Sequence, residues 1–573
     1  MRHKASEEER PVVVRGAHAG QADSIHRFAS GEQSAFSAGT AVAAATPGMV
    51  IAVVVTLIFI NKAYTIDDLL FLLMSQHMLV DPLHSTAFQL VFHGVPARAS
   101  AAVTGPVMAA LLLPAVAADG SEWIAHLAML AVFLLGLFSC AQLALRLGLS
   151  TAGAVWVVLL VATSPAVLAM ATTSMPDVPA MSFGAMAVER LVAFRQRPRV
   201  ITGAAASIAL ALAVLSRTHL VALFACAVPL MLDKWPANVR QLAAVLRQRR
   251  FVVRLSPIAC AVILLAVVVI AQRDPLAGAN LLNSTAHSIE LRYLNLNLAN
   301  LPAQWVLTFP LGVVWGALQW RRMVRNRWAW GGAALGVTLA ALSQSEYHHW
   351  RWMVWQAPVT ALGMAVLADI LVLALRRRDT VDLALATWLL IAWPAALYPH
   401  LPPKFLVPSA PAMAILIARH ASVPSRPLIA GRVILAGVSA GLALGLLIAQ
   451  GDAVLAEVGR IGGRDVVADE MRRGNRVWFD GGWGFQWYAM QAGAAALTIG
   501  LPAPARGDVV VVGLTGHLMN GVRDKKLLRR IVFEQPGGRV EFGAAGFFDN
   551  TLGLLPWRWS AYGLQPIEVW RIE

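Results

Sequence analysis

The chain has 573 residues, of which 58% are hydrophobic and only 14% are charged, and its mean hydropathy is +0.62. Soluble domains usually carry about 25% charged and about 45–50% apolar residues, so this composition excludes an ordinary soluble protein and predicts a polytopic membrane protein. The net charge of +15 comes from short basic clusters between apolar segments, a pattern that is typical of membrane loops and argues against nucleic acid as a partner.

Residues 1–45 are polar, mixed in charge and without hydrophobic periodicity, so we expect a disordered cytoplasmic tail. A membrane-spanning helix needs about 20 apolar residues. On that criterion residues 46–450 form one α-helical transmembrane domain with about thirteen spans. The predicted spans are 46–61, 122–146, 151–171, 178–194, 200–216, 218–232, 253–272, 303–320, 329–345, 352–375, 381–399, 404–419 and 430–450.

The apolar stretch 100–118 is left out of this count because it is short and contains two prolines, as an interfacial or re-entrant helix would. With this stretch outside the bilayer core, the loops on one face hold twenty basic residues and those on the other face hold seven. Cytoplasmic loops carry the excess of Lys and Arg. We therefore predict a plasma (inner) membrane protein with a cytoplasmic N-terminus and a long first exterior, or periplasmic, loop at 62–121.

The last segment, residues 451–573, differs in character from the apolar part of the chain. It is charged and Gly-rich, and it carries short β-like runs at 509–512 and 567–572. This pattern predicts a small α/β domain on the exterior face. All three cysteines lie within the apolar segments, which indicates neither a disulfide nor a metal-thiolate site.

Carboxylate groups occur at two places on the predicted exterior face. Asp67 and Asp68 directly follow the first span, where two adjacent acids are costly unless they have a function. Asp177 lies in the next exterior loop, between the two prolines of Met-Pro-Asp-Val-Pro. Asp is also favoured at the N-cap and in the first turn of a helix, so a purely structural role is the alternative for each of them.

Few cations share that face with the acids. Three of these seven are candidates for a function, namely Arg217, Arg351 and Lys404. A cation at a membrane surface can bind a lipid phosphate, although a side chain that snorkels from a helix end is the alternative. His84 in the first loop and His348 and His349 beside Arg351 are predicted as supporting residues. Two adjacent histidines are weak evidence for a metal, so no metal ligand is assigned and the cofactor stays open.

These features together resemble the GT-C glycosyltransferases of the protein O-mannosyltransferase and aminoarabinose-transferase group. The resemblance covers about residues 46–450 in order and spacing. It includes the acidic pair, the Met-Pro-Asp-Val-Pro turn, a Leu-Ser-Arg turn that ends at Arg217, and the sequence Lys-Phe-Leu-Val-Pro-Ser-Ala-Pro that begins at Lys404. The Trp- and Gly-rich segment 477–485 also looks like the exterior domain of bacterial members.

The resemblance implies an enzyme that transfers a sugar, with inversion, from a polyprenyl-phosphate donor to an acceptor hydroxyl at the exterior membrane face. Asp67 matches the first acid of the family's Asp-Glu pair and is the expected general base, while Asp68 replaces the Glu. Asp177 matches the second-loop acid of the family. The cations expected to bind the donor phosphate are Arg217, Lys404 and Arg351.

The alternative function is a multi-pass transporter or lipid flippase without glycosyl transfer. Such a protein needs acids near the middle of the membrane on broken helices, whereas these acids lie at one exit face. The expected partners are the lipid-linked sugar, membrane lipids and an acceptor that is a lipid, a protein or a glycan. The sequence identifies neither the sugar nor the acceptor.

Overall fold

A computed structural model shows a predominantly helical protein with a small sheet near its C-terminus. The residues that it describes are 37–92, 94–102, 105–236, 238–272, 291–308, 311–347, 350–399, 401–421, 427–500, 503–533, 539–541, 547–548, 556–560 and 564–573.

The first half of the described chain is helical except for one hairpin in the first loop. Its helices are α1 (Ala38–Ile58), α2 (Asp68–Val80), α3 (Ala99–Ala102), α4 (Val107–Ala117), α5 (Glu122–Arg146), α6 (Thr151–Ala162), α7 (Pro165–Ala171), α8 (Asp177–Gln196), α9 (Val200–Ser216), α10 (Leu223–Met231), α11 (Val239–Leu246) and α12 (Arg249–Ala271). The hairpin consists of β1 (Gln89–Phe92) and β2 (Val95–Arg98), which pair antiparallel.

The second half continues the bundle and then adds strands. Its helices are α13 (Leu294–Leu307), α14 (Leu311–Arg325), α15 (Arg327–Tyr347), α16 (Trp350–Arg377), α17 (Thr380–Leu389), α18 (Ala410–Ala421), α19 (Pro427–Arg460), α20 (Val467–Arg472) and α21 (Trp483–Gln491). Its strands are β3 (Val477–Asp480), β4 (Ala495–Ala496), β5 (Val509–Val512), β6 (Lys525–Ile531), β7 (Arg539–Glu541), β8 (Arg558–Ser560) and β9 (Ile567–Ile572).

The first helix begins earlier than the sequence predicts. We expect a tail up to residue 45, but α1 begins at Ala38, where the Ser37 side chain accepts a hydrogen bond from the Thr40 amide. This cap satisfies one of the free amides at the helix N-terminus, and the alanines that follow favour a helix. The remainder of the predicted tail, residues 1–36, lies outside the described residues.

The helices confirm a membrane protein. Six helices in the described ranges are long and apolar enough to cross a bilayer, and counting each of two bent helix pairs as one span raises the number to eight. The bent pairs are α6 with α7 and the segment Leu291–Leu307 with α14. The total of thirteen spans stays a prediction, because several predicted spans coincide with shorter helices such as α9, which has 17 residues. Helix α4 has 11 residues, which is too short to cross, as expected for the stretch 100–118.

The C-terminal region contains a five-stranded mixed sheet with the strand order β4-β3-β5-β9-β6. Strand β3 pairs parallel with β4 and β5, whereas β9 pairs antiparallel with β5 and β6. Val509 and Val511 of β5 pack with Phe479 and Phe485 in a core of their own. The predicted domain boundary at residue 451 falls inside α19, which carries the chain from the bundle directly to this sheet region.

Candidate active site

Asp67 and Lys404 come together in space although 337 positions separate them in the chain. Lys404 Nζ lies 3.0 Å from Asp67 Oδ2. The Lys404 side chain is 4% exposed, while that of Asp67 is 31% exposed. A shielded cation therefore lies beside a carboxylate that solvent can reach, and the low dielectric around the lysine strengthens its effect on any nearby negative charge.

The backbone directly before Asp67 is strained. Ile66 has a φ of +44°, a conformation that β-branched residues rarely adopt. Such residues cost roughly 1–3 kcal/mol and persist where the surrounding structure enforces them, often at active sites. Asp67 occupies the N-cap position of α2, but its side chain makes no capping hydrogen bond. The capping alternative therefore does not explain this carboxylate.

Asp68 connects the first exterior loop to the second. Its Oδ2 accepts a hydrogen bond from the Thr65 amide at 2.9 Å, and its Oδ1 accepts one from the Ser174 amide at 3.0 Å. The side chain is buried. Burial is the main reason that the pKa of Asp68 rises to about 7; the Thr65 amide and the Lys62 ammonium oppose this rise, and neighbouring carboxylates add to it. This geometry suits a residue that holds the two loops together.

Lys62 and Asp452 form a buried ion pair that the sequence analysis did not identify. Lys62 Nζ lies 2.5 Å from Asp452 Oδ2, and both side chains are almost fully buried. Asp452 Oδ1 has no hydrogen-bond partner among the described residues. In the sequence, the only signal is that both charges lie at the ends of apolar runs on the same predicted face.

Arg217 and Asp177 form a bidentate ion pair. Arg217 Nε donates to Asp177 Oδ1 at 3.1 Å, and Arg217 Nη2 donates to Asp177 Oδ2 at 2.8 Å. Asp177 is fully buried as the first residue of α8. Both of its oxygens are thus engaged by the arginine. This differs from the predicted catalytic role, since a buried carboxylate that neutralises an arginine is poorly placed to accept a proton from a substrate.

Phe405 brings the Arg217–Asp177 pair next to the segment that carries Lys404. The Arg217 guanidinium lies 4.9 Å from the centre of the Phe405 ring, and the His219 ring stacks on the same phenyl ring at 5.2 Å. His219 is not among the residues predicted from the sequence, where its only signal is its position two residues after Arg217.

The C-terminal region contacts the loop that carries the acidic pair. The Tyr64 amide donates to Tyr488 Oη at 2.9 Å, and Tyr488 Oη donates to Glu122 Oε1 at 2.9 Å. Gly484 packs so closely that a Cβ atom there would lie 1.9 Å from the Tyr64 carbonyl oxygen. On the other side of the site, Lys404 Nζ lies 5.4 Å from the centre of the Phe548 ring. Residues after position 451 therefore form part of the site wall.

A cleft of about 630 Å³ opens between α2, the β1–β2 hairpin and α21. Its polar lining includes Gln76, His77 and Gln486. Gln486 Nε2 donates to the Val91 carbonyl at 2.7 Å, while Gln486 Oε1 has no partner in the described part of the chain. The cleft thus combines an apolar wall with a few polar groups, as ligand sites commonly do.

The remaining predicted residues do not join the Asp67–Lys404 pair. His84 Nδ1 lies 3.0 Å from Asp81 Oδ2 in a half-exposed local contact. Arg351 belongs to the first turn of α16, and nothing is described of its side chain. His348 and His349 lie outside the described residues. Within the described ranges, no group of three or more His, Cys, Asp or Glu residues could hold a metal ion.

Comparisons with known proteins find similarity only at the level of structure. No family model matches the chain, and no curated protein matches its sequence. Similar solved structures include the oligosaccharyltransferase of Archaeoglobus fulgidus in complex with Zn and sulfate, with a TM-score of 0.46 and 13% identity over 82% of this chain and 67% of that one.

Two further structures are similar with lower TM-scores. ArnT from Cupriavidus metallidurans bound to undecaprenyl phosphate has a TM-score of 0.40 and 14% identity over 82% of this chain and 92% of that one. Arabinofuranosyltransferase AftD from Mycobacteria has a TM-score of 0.41 and 13% identity over 94% of this chain and 40% of that one. All three are GT-C glycosyltransferases, the group that the sequence resembles. At these TM-scores, the case for a function depends on the residues of the site.

Proposed function

We propose that this chain is a membrane glycosyltransferase that transfers a sugar from a polyprenyl-phosphate donor to an acceptor hydroxyl. The contact between Asp67 and Lys404 carries the proposal, because it places a carboxylate that solvent can reach beside a buried lysine. We further propose that this site faces the exterior of the plasma membrane. That orientation follows from the thirteen-span topology with a cytoplasmic N-terminus, in which residues 451–573 form an exterior α/β domain.

In the proposed reaction, the donor phosphate approaches Lys404 Nζ and releases Asp67 from its ion pair. Asp67 accepts the proton of the acceptor hydroxyl, and the acceptor oxygen forms a bond to the anomeric carbon. The bond between that carbon and the phosphate oxygen breaks, and its electron pair leaves with polyprenyl phosphate. Attack opposite to the leaving group inverts the anomeric centre. Lys404 stabilises the negative charge that develops on the phosphate.

The other acids and cations would act by positioning this pair. Asp68 holds the Asp67 loop against the Ser174 loop through two backbone hydrogen bonds. Arg217, neutralised by Asp177, packs on the residue that follows Lys404. A direct contact between Arg217 and the donor phosphate would require part of that ion pair to open. A phosphate contact from Arg351 remains a prediction.

We also propose that the acceptor enters through the cleft beside α2. The cleft opens next to the helix that follows Asp67, and its polar side chains can exchange hydrogen bonds with a sugar, a peptide or a lipid head group. Its apolar wall, formed by residues such as Leu73 and Phe88, would exclude water from part of the acceptor.

The proposal is tested by supplying membranes that contain the protein with a radiolabelled sugar on polyprenyl phosphate and measuring the release of polyprenyl phosphate. We expect release that depends on the chain and on Asp67. A matched control is Asp465→Asn, which removes an exposed carboxylate from the same predicted face and should leave release unchanged. Movement of the intact lipid-linked sugar across the membrane, without its cleavage, would instead support a transporter or flippase.

A further inference from the structure

An arginine-rich pocket lies between the C-terminal parts of helices α14 and α16. We call it the arginine pocket. It has a volume of about 430 Å³, and its lining includes Arg321, Arg325 and Arg376 together with Arg322 and Asp369. Arg321 and Arg325 are four positions apart and therefore lie on one face of α14. Arg376 comes from the last turn of α16. Three cations from two helices thus surround one open depression.

Asp369 does not neutralise these three arginines because its oxygens are already engaged. Arg322 forms a bidentate ion pair with it, Trp315 Nε1 donates to it at 3.1 Å, and Asn326 Nδ2 donates to it at 3.1 Å. The carboxylate is almost fully buried beneath Arg322. One acid therefore balances one arginine, and the lining keeps an excess of three positive charges.

Several other arginines near the ends of the helices have acidic partners. Arg146 and Arg190 share Glu189. Arg419 contacts both Asp379 and Asp382. No acid within the described ranges forms a salt bridge with Arg321, Arg325 or Arg376. A concave group of unneutralised arginines is suited to an oxyanion with several acceptor oxygens.

In the predicted topology, the pocket lies at the membrane face opposite to the Asp67–Lys404 pair. Helix α16 has 28 residues and ends at Arg377, and the next candidate span, Thr380–Leu397, leads back to the segment that carries Lys404. Three tryptophans lie close in sequence to the pocket residues, namely Trp320, Trp328 and Trp330. Each of their side chains is more than half exposed. Tryptophans of this kind mark the level of lipid head groups.

We propose that the arginine pocket binds a phosphate group at this second membrane face, at a site separate from the transfer reaction. The exposed tryptophans favour the phosphate of an anionic phospholipid, whose acyl chains would extend along the apolar surface beside Val324. A soluble phosphate compound offers the same oxyanion to the arginines. The interaction requires no proton transfer and no bond breakage, and it does not depend on the proposed glycosyl transfer.

The test uses the full-length protein in an uncharged detergent. Native mass spectrometry measures the binding of phosphatidylglycerol and of phosphatidylcholine with the same acyl chains, and calorimetry measures the binding of inorganic phosphate. The test variant combines Arg321→Gln, Arg325→Gln and Arg376→Gln. The control variant combines Arg197→Gln, Arg199→Gln and Arg247→Gln, which removes three exposed arginines that also follow or precede helix ends.

We expect the wild type to prefer phosphatidylglycerol, and the test variant to lose about 100-fold in affinity, because each cation near an anionic head group contributes about fivefold. The control variant should lose less than about fivefold, the share of one such cation. If inorganic phosphate binds and only the test variant loses it, while the two lipids bind equally, the phosphate comes from a soluble compound. Equal losses in both triple variants, or no loss in the test variant, would overturn the proposal.

Discussion

The Asp67–Lys404 site and the arginine pocket differ in how their charges are paired. At the Asp67–Lys404 face, acids and cations alternate in pairs: Asp67 with Lys404, Asp177 with Arg217, and Lys62 with Asp452. In the arginine pocket, which lies at the opposite face in the predicted topology, one acid forms an ion pair with one of four arginines. Paired charges can hold a proton acceptor and a cation in fixed positions, which chemistry needs. Unpaired cations can only attract an anion, which suits binding.

The largest effect in this comparison should come from Asp67. Asp67→Asn keeps the size of the side chain but removes the base, so we expect the release of polyprenyl phosphate to fall by about 10²–10⁴-fold. The protein should remain folded and membrane-inserted, because the Asp67 side chain is partly exposed. Turnover above roughly a tenth of the wild-type value would show that Asp67 is not the general base.

Removal of the cation beside Asp67 should be nearly as severe. Lys404→Gln is expected to lower kcat by about 10²–10³-fold, because the leaving phosphate loses its electrostatic stabilisation. Lys404→Arg keeps the charge and should retain more activity than Lys404→Gln. Lys526→Gln removes an exposed lysine in β6 and should not change kcat. If kcat stays constant in Lys404→Gln and only KM rises, Lys404 binds the donor without stabilising the transition state.

The contact between the C-terminal region and the Asp67 loop can be broken with one methyl group. Gly484→Ala would place Cβ against the Tyr64 carbonyl, and we expect a loss of about 1–3 kcal/mol in unfolding free energy together with lower turnover. Gly521→Ala is the control, since no atom lies within 4 Å of its Cβ position. Thermal melting in detergent measures both variants. Equal stability of the two would mean that the backbone contact is not tight.

The raised pKa of Asp68 should give the folding stability a pH dependence of moderate size. Its pKa is raised from the ordinary value of 3.8 to about 7, so its contribution to folding stability is present below the unfolded pKa and is lost as the pH rises through about 7. We expect the melting temperature of the wild type to fall between about pH 4 and about pH 7, and that of Asp68→Asn to fall less. Parallel curves for the two proteins would exclude Asp68 as the titrating group.

The smallest effect on transfer should come from the arginine pocket. The triple substitution of Arg321, Arg325 and Arg376 by Gln removes three exposed charges that, in the predicted topology, lie at the other membrane face from Asp67. Turnover in neutral lipid should therefore stay within about twofold of the wild type. The same protein is the one expected to lose phosphate binding. A large loss of turnover in neutral lipid would mean that the two faces are coupled and would remove the distinction drawn between them.

Much of this organisation follows from the amino-acid sequence alone. Its apolar composition established a helical membrane protein, since long runs without charge can be buried only in lipid or in a helical bundle. The position of Asp67 directly after the first span identified the strongest site candidate. Helix α5 even has the predicted bounds, because charged or polar residues delimit that apolar run at both ends.

The tertiary structure decided which charges meet. Neither the pairing of Asp67 with Lys404 nor that of Lys62 with Asp452 can be deduced from spacing, since each joins segments more than 300 residues apart. The structure also paired Asp177 with Arg217 and gave Asp68 two backbone donors. Local sequence sets where a helix begins and ends, because capping and hydrophobicity act over a few residues. The partner of a charge depends on how the helices pack around it, and only the folded chain determines that.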